Sequence, residues 1–208
     1  MRGMWPWRDR ELAGGNVRKV FFTSDTHFGH RNIIRYCNRP FESVSEMGRE
    51  LIRRWNAVVR EEDEVWHLGD FSLSADVERV RSWFGQLNGA YINLLALYDH
   101  HDGYWLRELH KGAMYQFGPV FPWYTRSGGV VVLYPPIVTG VYEEVTLALS
   151  HFPMRDWDRK RHGALHLHGH SHGRVRSLKH ALDVGVDTPL ANYAPISLER
   201  ILEILEAK

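Results

Sequence analysis

Residues 17–27, VRKVFFTSDTH, join a compact apolar run to two potential metal ligands. The run at residues 17–24 is ended by polar residues, and this pattern predicts a buried strand. Asp25 and His27 follow at the carboxyl end of that strand. Open α/β sheets bind their ligands at this end of their strands. The stretch therefore predicts both a strand of a sheet and the start of a site.

The first half of the chain alternates strands with helices. Ser43 opens an amphipathic helix, and Glu46 lies three residues later, as in a capping box. Strands are predicted at residues 64–69 and 91–97, with a helix at residues 75–87 between them. This alternation of strand and helix predicts an α/β sheet with helices on its faces.

The second half is richer in strands. Strand-like runs fall at residues 130–134, 145–150, 164–168 and 182–187, joined by loops rich in Gly and Pro, whereas only residues 197–207 strongly favour a helix. Two sheets packed face to face, with helices outside, would accommodate both halves of the chain.

Composition predicts one globular domain without a membrane segment. The chain has 208 residues, enough for a sizeable core, and we expect a single domain over residues 17–208 after a polar tail at residues 1–16. That tail lacks the apolar region of a secretion signal, and no run of about eighteen apolar residues occurs. One cysteine, Cys37, excludes an internal disulfide and agrees with a reducing compartment. The net charge of +1 gives no global attraction to nucleic acid or membranes. Because the sequence shows no secretion signal and no membrane segment, and has a single cysteine, we expect a cytoplasmic protein.

Potential metal ligands cluster after five predicted strands. These clusters are Asp25 with His27; Asp70; Asp99, His100, His101 and Asp102; His151; and His170 with His172. A lone His or Asp in such a position is more often a cap, a turn former or a surface residue. Five clusters at the same end of the strands instead favour a site for one or two divalent ions, which need carboxylates and neutral imidazoles. His67, His166 and His168 lie within strands and are expected to pack or to support the ligands.

The order of these clusters resembles a known pattern. The blocks SDTH, LGD, DHHD, SHFP and HGHSH occur in that order between Ser24 and His172. They resemble the D-x-H, G-D, G-N-H-D, H and G-H-x-H blocks of the calcineurin-like metallophosphoesterases, in particular the small bacterial, archaeal and phage members. The resemblance implies a four-layer α/β/β/α sandwich of two mixed sheets flanked by helices. It also implies a dinuclear metal-dependent phosphohydrolase that cleaves phosphomonoesters or phosphodiesters with a metal-bridging hydroxide.

The resemblance also assigns ligands. It implies one metal on Asp25, His27 and His172, and a second on His151 and His170, with Asp70 bridging the two ions and so belonging to the catalytic centre. A shared carboxylate and hydroxide would clamp a phosphoryl oxygen for in-line attack. The expected cofactors are therefore two divalent ions.

The DHHD block departs from the usual GNHD. In a direct alignment, His101 takes the position of the catalytic histidine, which stabilises phosphoryl oxygens or protonates the leaving oxygen. His100 replaces the metal-binding Asn, although Asp99 could complete the second metal site instead. An imidazole nitrogen at His100 favours Mn, Fe, Zn or Ni over Mg.

Other residues near these blocks allow two interpretations each. His30, Asn32 and Arg39 could bind the substrate phosphate or orient a ligand, but they could equally cap and solvate a short helix. Six basic residues could attract phosphate or a nucleic-acid backbone, although a solvated surface explains them more simply: Arg155, Arg159, Lys160, Arg161, Arg174 and Arg176. The aromatic-rich segment at residues 114–142 could form a wall over the metals or the core of the second sheet.

Three functions remain open from the sequence. The leading hypothesis is a phosphohydrolase acting on phosphate esters, with nucleotides among the candidate substrates. A nuclease of the same superfamily would need an extended basic groove, which the local clusters support only weakly. The third alternative is a metal-binding scaffold in which the changed DHHD block has reduced catalysis.

Overall fold

The computed structural model describes residues 18–111, 116–142, 144–176 and 178–206, so the predicted tail at residues 1–16 lies outside the described part. The strands are β1 Val20–Thr23, β2 Glu64–His67, β3 Tyr91–Leu95, β4 Gly118–Tyr124, β5 Val130–Tyr134, β6 Ile137–Tyr142, β7 Val145–Ser150, β8 Leu165–His168, β9 Ala181–Asp183 and β10 Ile196–Ser197. The helices are α1 Arg31–Tyr36, α2 Val44–Val58, α3 Val77–Phe84, α4 Gly103–Leu109 and α5 Leu198–Glu206, with a short 3₁₀ turn at Lys160–His162. Among these described helices, none has the length and apolar character needed to cross a membrane.

The strands form two mixed sheets. The first has the order β10-β1-β2-β3-β5-β4, in which β1, β2, β3 and β5 run parallel and the two edge strands run antiparallel. The second has the order β6-β7-β8-β9, in which only β6 is antiparallel. A parallel bridge between Ser24 and Gly185 joins the end of β1 to the segment after β9. The carboxyl ends of the parallel strands of both sheets therefore meet.

Alternate residues of the central strands face different layers. On β1, Phe21 packs in the core beneath the helices with Leu51 of α2, whereas Phe22 packs in the core between the sheets with Trp66 of β2 and Leu167 of β8. This period of two is what a strand buried on both faces requires. The predicted α/β sandwich of two mixed sheets is confirmed.

The outer face of the second sheet is covered by a thin layer. Trp157 packs against three alanines, Ala148, Ala164 and Ala181, whose small side chains leave room for the indole. The indole Nε1 also donates to Ala164 O at 2.9 Å. The segment between β7 and β8 thus covers this face, while α5 packs into the core between the sheets.

Helix α2 begins at the predicted cap. Ser43 Oγ accepts a hydrogen bond from Glu46 N at 3.1 Å. In a capping box, the side chain three residues after the cap also accepts a hydrogen bond from the backbone N–H of the cap residue. Here the Glu46 carboxylate instead accepts from the N–H of Glu42, one residue before the cap, at 2.7 Å. Met47 and Trp55 then bury the apolar face of the helix.

The aromatic-rich segment is divided between the two sheets. Strand β5 pairs in parallel with β3, from Tyr91–Val130 to Leu95–Tyr134, so it continues the first sheet. Trp123 of β4 accordingly stacks on Trp105 of α4 at 5.6 Å, and the prediction of second-sheet core is wrong for this part. Sequence patterns did not predict β4 or β6, because both are edge strands and β4 contains prolines, which edge strands tolerate.

Candidate metal centre

The loops after β1, β2, β3, β7 and β8 bring the predicted ligands together. Several groups of described residues each place at least three ligand atoms within 4.8 Å of one another, and two of them share no residue and consist only of predicted ligands. The first triad is Asp25, His27 and His172, and the second triad is His100, His151 and His170. The protein therefore contains largely buried His/Asp clusters that could bind metal ions.

The first triad points three ligand atoms at one space. Asp25 Oδ2 accepts a hydrogen bond from the backbone N–H of His170 at 2.9 Å, which leaves Oδ1 for another partner. Asp25 Oδ1 lies 3.8 Å from His27 Nε2 and 3.9 Å from His172 Nε2. Two ligand atoms about 2.1 Å from one ion can stand at most about 4.2 Å apart, so these spacings fit a shared cation.

A buried network braces the first triad. Asp187 Oδ2 accepts from His172 Nδ1 at 2.6 Å, and both Asp187 oxygens accept from the Arg39 guanidinium at 2.8 Å. Arg39 also donates to the backbone oxygens of Asp25 and Thr26. This is the arrangement in which a carboxylate orients a ligating histidine. Arg39 thus supports Asp187 and the backbone of the Asp25 loop, and its predicted role in substrate binding stays a prediction.

Hydrogen bonding fixes the protonation of the histidine in this network. Although burial lowers the pKa of the His172 imidazole, its hydrogen bond to Asp187 and the nearby carboxylates raise that pKa to about 10. Because Nδ1 donates to Asp187, a cation binding at Nε2 would displace a proton from that atom.

Asp70 lies between the triads. Its Oδ2 is 3.6 Å from His27 Nε2 of the first triad and 3.4 Å from His151 Nε2 of the second. Its Oδ1 is 2.6 Å from His100 Nδ1. Burial disfavours the carboxylate, but the hydrogen bond from His100 and the nearby imidazoles of His151 and His27 outweigh burial and hold the pKa of Asp70 well below its usual range. Asp70 is therefore an anion in contact with both triads.

The second triad is more open. His151 is buried, and its Nδ1 donates to Leu68 O at 3.1 Å, so Nε2 is the ring nitrogen that faces Asp70. The ring of His170 lies 5.2 Å from that of His151 and 5.6 Å from that of His100. His170 is exposed and 29% of the His100 side chain is accessible, so this half of the site faces solvent.

Three buried ligand atoms have no hydrogen-bond partner among the described residues: Asp25 Oδ1, His27 Nε2 and His151 Nε2. An unsatisfied buried polar atom costs about 1–3 kcal/mol. Burial also lowers the pKa of His27 well below its usual value, which keeps the imidazole in the neutral form that binds metals. The unpartnered atoms all face the space around Asp70, and a cation there would satisfy them.

The loops that carry the ligands are conformationally strained. Five of the predicted ligands have φ between +50° and +65°, namely Asp25, His27, Asp70, His170 and His172. Left-handed backbone costs non-glycine residues free energy and clusters at functional sites. Backbone pairing holds two of these loops together, through Asp25 N to Gly69 O at 3.1 Å and His27 N to Asp70 O at 3.0 Å. At Gly169, a Cβ would overlap Ser24 Oγ and Asp25 Oδ2, so only glycine fits between β8 and His170.

His101, the predicted catalytic residue, lies at the rim of the centre. Its Nε2 is 3.9 Å from Asp70 Oδ2, its ring is 5.0 Å from that of His27, and 33% of its side chain is exposed. Burial lowers the pKa of the imidazole. His30 lies next to it, with Nδ1 3.5 Å from His27 Nδ1, whereas Asn32 is exposed on α1. Of the predicted substrate-binding residues, His30 is therefore the one at the imidazole cluster.

Two carboxylates hold the ligand loops: Asp102, which the sequence placed among the potential metal ligands, and Asp183, which it did not single out. Asp102 accepts from the backbone N–H groups of Phe71 and Ser72 at 3.1 and 2.9 Å, directly after Asp70, and burial raises its pKa to about 7. Asp183 accepts from Gly173 N at 2.9 Å and from Gly185 N at 2.8 Å. The first carboxylate therefore fixes the loop of Asp70, and the second fixes the end of the HGHSHG loop.

The strand histidines pack as predicted. His67 Nδ1 accepts from Gly69 N at 3.3 Å, so Nε2 donates to Thr26 Oγ1 at 3.0 Å. His166 Nδ1 donates to Ala148 O at 3.0 Å, and Nε2 accepts from Met154 N at 3.1 Å. Burial lowers the pKa of His67 to about 3 and that of His166 to about 4. His168 is also buried, and its Nδ1 lies 3.2 Å from Gly169 O.

The flanking basic residues lie mostly at the surface. Lys160 Nζ donates to Arg155 O at 2.6 Å and stands 4.3 Å from the ring of Trp157, and Arg174 donates to Tyr36 O. Their attraction of phosphate or nucleic acid stays a prediction.

Comparisons with known proteins place the chain among uncharacterised relatives. No family model matches the sequence. The protein of unknown function AQ665 from Aquifex aeolicus shares the fold, with a TM-score of 0.63 and 20% identity over 90% of this chain and 99% of that one. The Gene 66 protein of Mycobacterium phage L5 is 27% identical over 191 residues, covering 82% of this chain and 87% of that protein.

A relative in an archaeon is more similar in sequence. The uncharacterized protein MJ1445 of Methanocaldococcus jannaschii is 31% identical over 199 residues, which cover 92% of this chain and 93% of that protein. The match extends over nearly the whole of both chains. The chain therefore belongs to the same family as MJ1445.

Proposed function

We propose that this protein is a dinuclear metal-dependent phosphoesterase of the calcineurin-like type. One observation carries the proposal: the Asp70 carboxylate lies between two triads of ligand side chains and contacts an imidazole of each, at 3.6 Å for His27 and 3.4 Å for His151. A carboxylate in this position can bridge two ions, which is the arrangement that hydrolyses phosphate esters by in-line displacement.

The two triads would form two metal sites, of which the second is more open to solvent. The first triad would hold one cation and the second triad the other, with Asp70 shared. The donors are rich in imidazole nitrogen, which favours Mn²⁺, Fe²⁺, Zn²⁺ or Ni²⁺ over Mg²⁺. Two divalent cations outweigh the charges of Asp25 and Asp70, so the centre would attract an anionic phosphate ester. When bound, the cations supply Lewis acidity toward a phosphoryl oxygen and make hydroxide available near neutral pH.

His101 would act on the phosphoryl group or the leaving group. It is partly exposed at the rim, beside His27 and close to Asp70, so it can reach an ester bound above the triads. In the reaction, the oxygen of water attacks phosphorus, the ester P–O bond breaks, and the leaving oxygen takes a proton. A protonated His101 can donate that proton, or it can donate a hydrogen bond to a phosphoryl oxygen.

The test is turnover with defined metals. The protein is stripped with chelator, reloaded with Mn²⁺, and assayed on p-nitrophenyl phosphate and bis-p-nitrophenyl phosphate, with Asp70→Asn as the matched inactive variant. We expect metal-dependent release of p-nitrophenol from at least one ester and loss of turnover in the variant. A folded, metal-loaded protein that cleaves neither ester would contradict the proposal and favour a metal-binding scaffold.

A further inference from the structure

An aromatic side chain stands partly in solvent against the second triad. Phe152 follows His151 directly, and its ring lies 4.9 Å from that of His151, 4.6 Å from that of His170 and 5.6 Å from that of His100. Despite these contacts, 46% of Phe152 is exposed. Packing against the imidazoles therefore leaves much of the ring available to a ligand.

The backbone that presents this ring is fixed at both ends. Ser150 Oγ donates to the carbonyl oxygen of Phe152 at 2.6 Å, and Met154 N donates to His166 Nε2 at 3.1 Å. Pro153 lies between them and restricts the backbone further. A platform that is ordered before binding loses little conformational entropy when a ligand arrives.

We propose that Phe152 stacks on an aromatic ring in the organic group of the substrate, so that the protein selects phosphate esters of aryl or nucleoside type. This inference rests on the proposed phosphoesterase function. A phosphoryl group at the second triad places its organic group beside the Phe152 ring, because that ring touches all three imidazoles of the triad. Stacking on an aromatic side chain strengthens binding of a flat ring by about tenfold.

Tyr36 is another exposed aromatic residue near the centre, and it fits this role less well. It is 52% exposed, and its ring lies 6.3 Å from that of His30, which belongs to neither triad. The Arg35 guanidinium stands 5.5 Å from the centre of the ring and covers part of it. Tyr36 is therefore farther from the phosphoryl position and less available for stacking.

The experiment compares two inert probes of similar size and charge, phenylphosphonate and cyclohexylphosphonate. Their dissociation constants are measured by calorimetry on Mn²⁺-loaded wild type, Phe152→Leu and Tyr36→Leu. Leucine keeps an apolar side chain at position 152 but removes the aromatic face. We expect Phe152→Leu to weaken the binding of phenylphosphonate by about tenfold and that of cyclohexylphosphonate by less than about twofold, with unchanged metal content.

A matched control is Tyr124→Leu. Tyr124 is 49% exposed and pairs with Val130 at the amino end of β5, at the opposite end of the sheet from the ligand loops. The Tyr124→Leu variant should change neither dissociation constant. The same measurement with AMP and ribose 5-phosphate extends the comparison to a nucleobase. If Phe152→Leu weakens the binding of phenylphosphonate but not that of AMP, the substrate class is restricted to small aryl esters.

Each other outcome overturns the inference. If Phe152→Leu weakens the binding of both phosphonates equally, Phe152 makes only an apolar contact. If only Tyr36→Leu selectively weakens the binding of phenylphosphonate, the phenyl ring of the probe lies beside Tyr36 instead. If the wild type cleaves p-nitrophenyl esters but does not prefer phenylphosphonate, only this inference fails. If the metal-loaded wild type neither cleaves the esters nor binds either probe, the proposed function fails with it.

Discussion

The two triads differ in how firmly the protein holds them. In the first triad, Asp25 and His27 are buried, and His172 donates a hydrogen bond to Asp187. Asp187 in turn accepts hydrogen bonds from the Arg39 guanidinium. In the second, only His151 is buried, while His100 and His170 reach solvent. Buried and oriented ligands lose less entropy on binding an ion. If each triad binds a cation, as proposed, the first should retain its ion, and the second should exchange its ion and face the substrate.

The largest effect is expected where the triads meet. Asp70→Asn removes the negative charge shared by both, so the affinity of each triad for Mn²⁺ should fall by about 10²–10³, as when one member of a buried ion pair is removed, and turnover should be lost. Metal titration followed by calorimetry measures this. Asp99→Asn separately tests whether Asp99 completes the second site. An Asp70→Asn protein with normal metal content and rate would remove Asp70 from the centre.

His101→Ala should separate chemistry from metal binding. Because His101 belongs to neither triad, metal content should stay nearly intact while turnover falls by about 10²–10⁴. Steady-state kinetics on esters of different leaving-group pKa refine the role: a smaller loss for good leaving groups indicates proton donation, and a constant loss indicates stabilisation of charge. An unchanged rate would exclude His101 from the mechanism.

Asp187→Asn should affect the first triad alone. Asparagine keeps the shape at position 187 but removes the charge that orients His172, so the affinity of the tighter site for Mn²⁺ should fall by about 10–100-fold. The weaker site should be unchanged. Two-site fits of calorimetric titrations of wild type and variant make the comparison. A loss confined to the weaker site would reverse the assignment of the two triads.

The smallest effect is expected at His100. His100→Asn exchanges an imidazole nitrogen for an amide oxygen, which should weaken the preference of the second site for Mn²⁺, Zn²⁺ or Ni²⁺ over Mg²⁺ without abolishing activity. Activation profiles with each metal provide the measurement. Identical profiles for wild type and variant would mean that His100 is not a ligand.

The sequence predicted which side chains converge better than it predicted the residues that support them. Asp25, His151 and His172 each follow a buried strand, and local apolar patterns identify such strands. Asp187 ends the predicted strand at residues 182–187, so the same criterion could have found it. Its roles, however, depend on Arg39, 148 positions earlier, and only the closing of the two sheets brings the two residues together.

Edge strands and loop anchors were also hard to predict. Strand β4 contains two prolines, which oppose strand formation in a sequence pattern but are tolerated at a sheet edge. Asp102 lies within the DHHD block, yet its carboxylate binds the backbone of residues 71 and 72 rather than serving as a ligand. The direction of a side chain at the end of a strand depends on tertiary contacts, which spacing alone does not contain.

The central claim is that Asp70 joins two metal sites in one centre. Anomalous diffraction from crystals grown with Mn²⁺ tests it most directly, because it locates each ion and counts the sites. We predict two peaks about 3.5–4 Å apart, one within each triad and both adjacent to the Asp70 carboxylate. A single peak, or peaks remote from Asp70 at saturating Mn²⁺, would contradict the account.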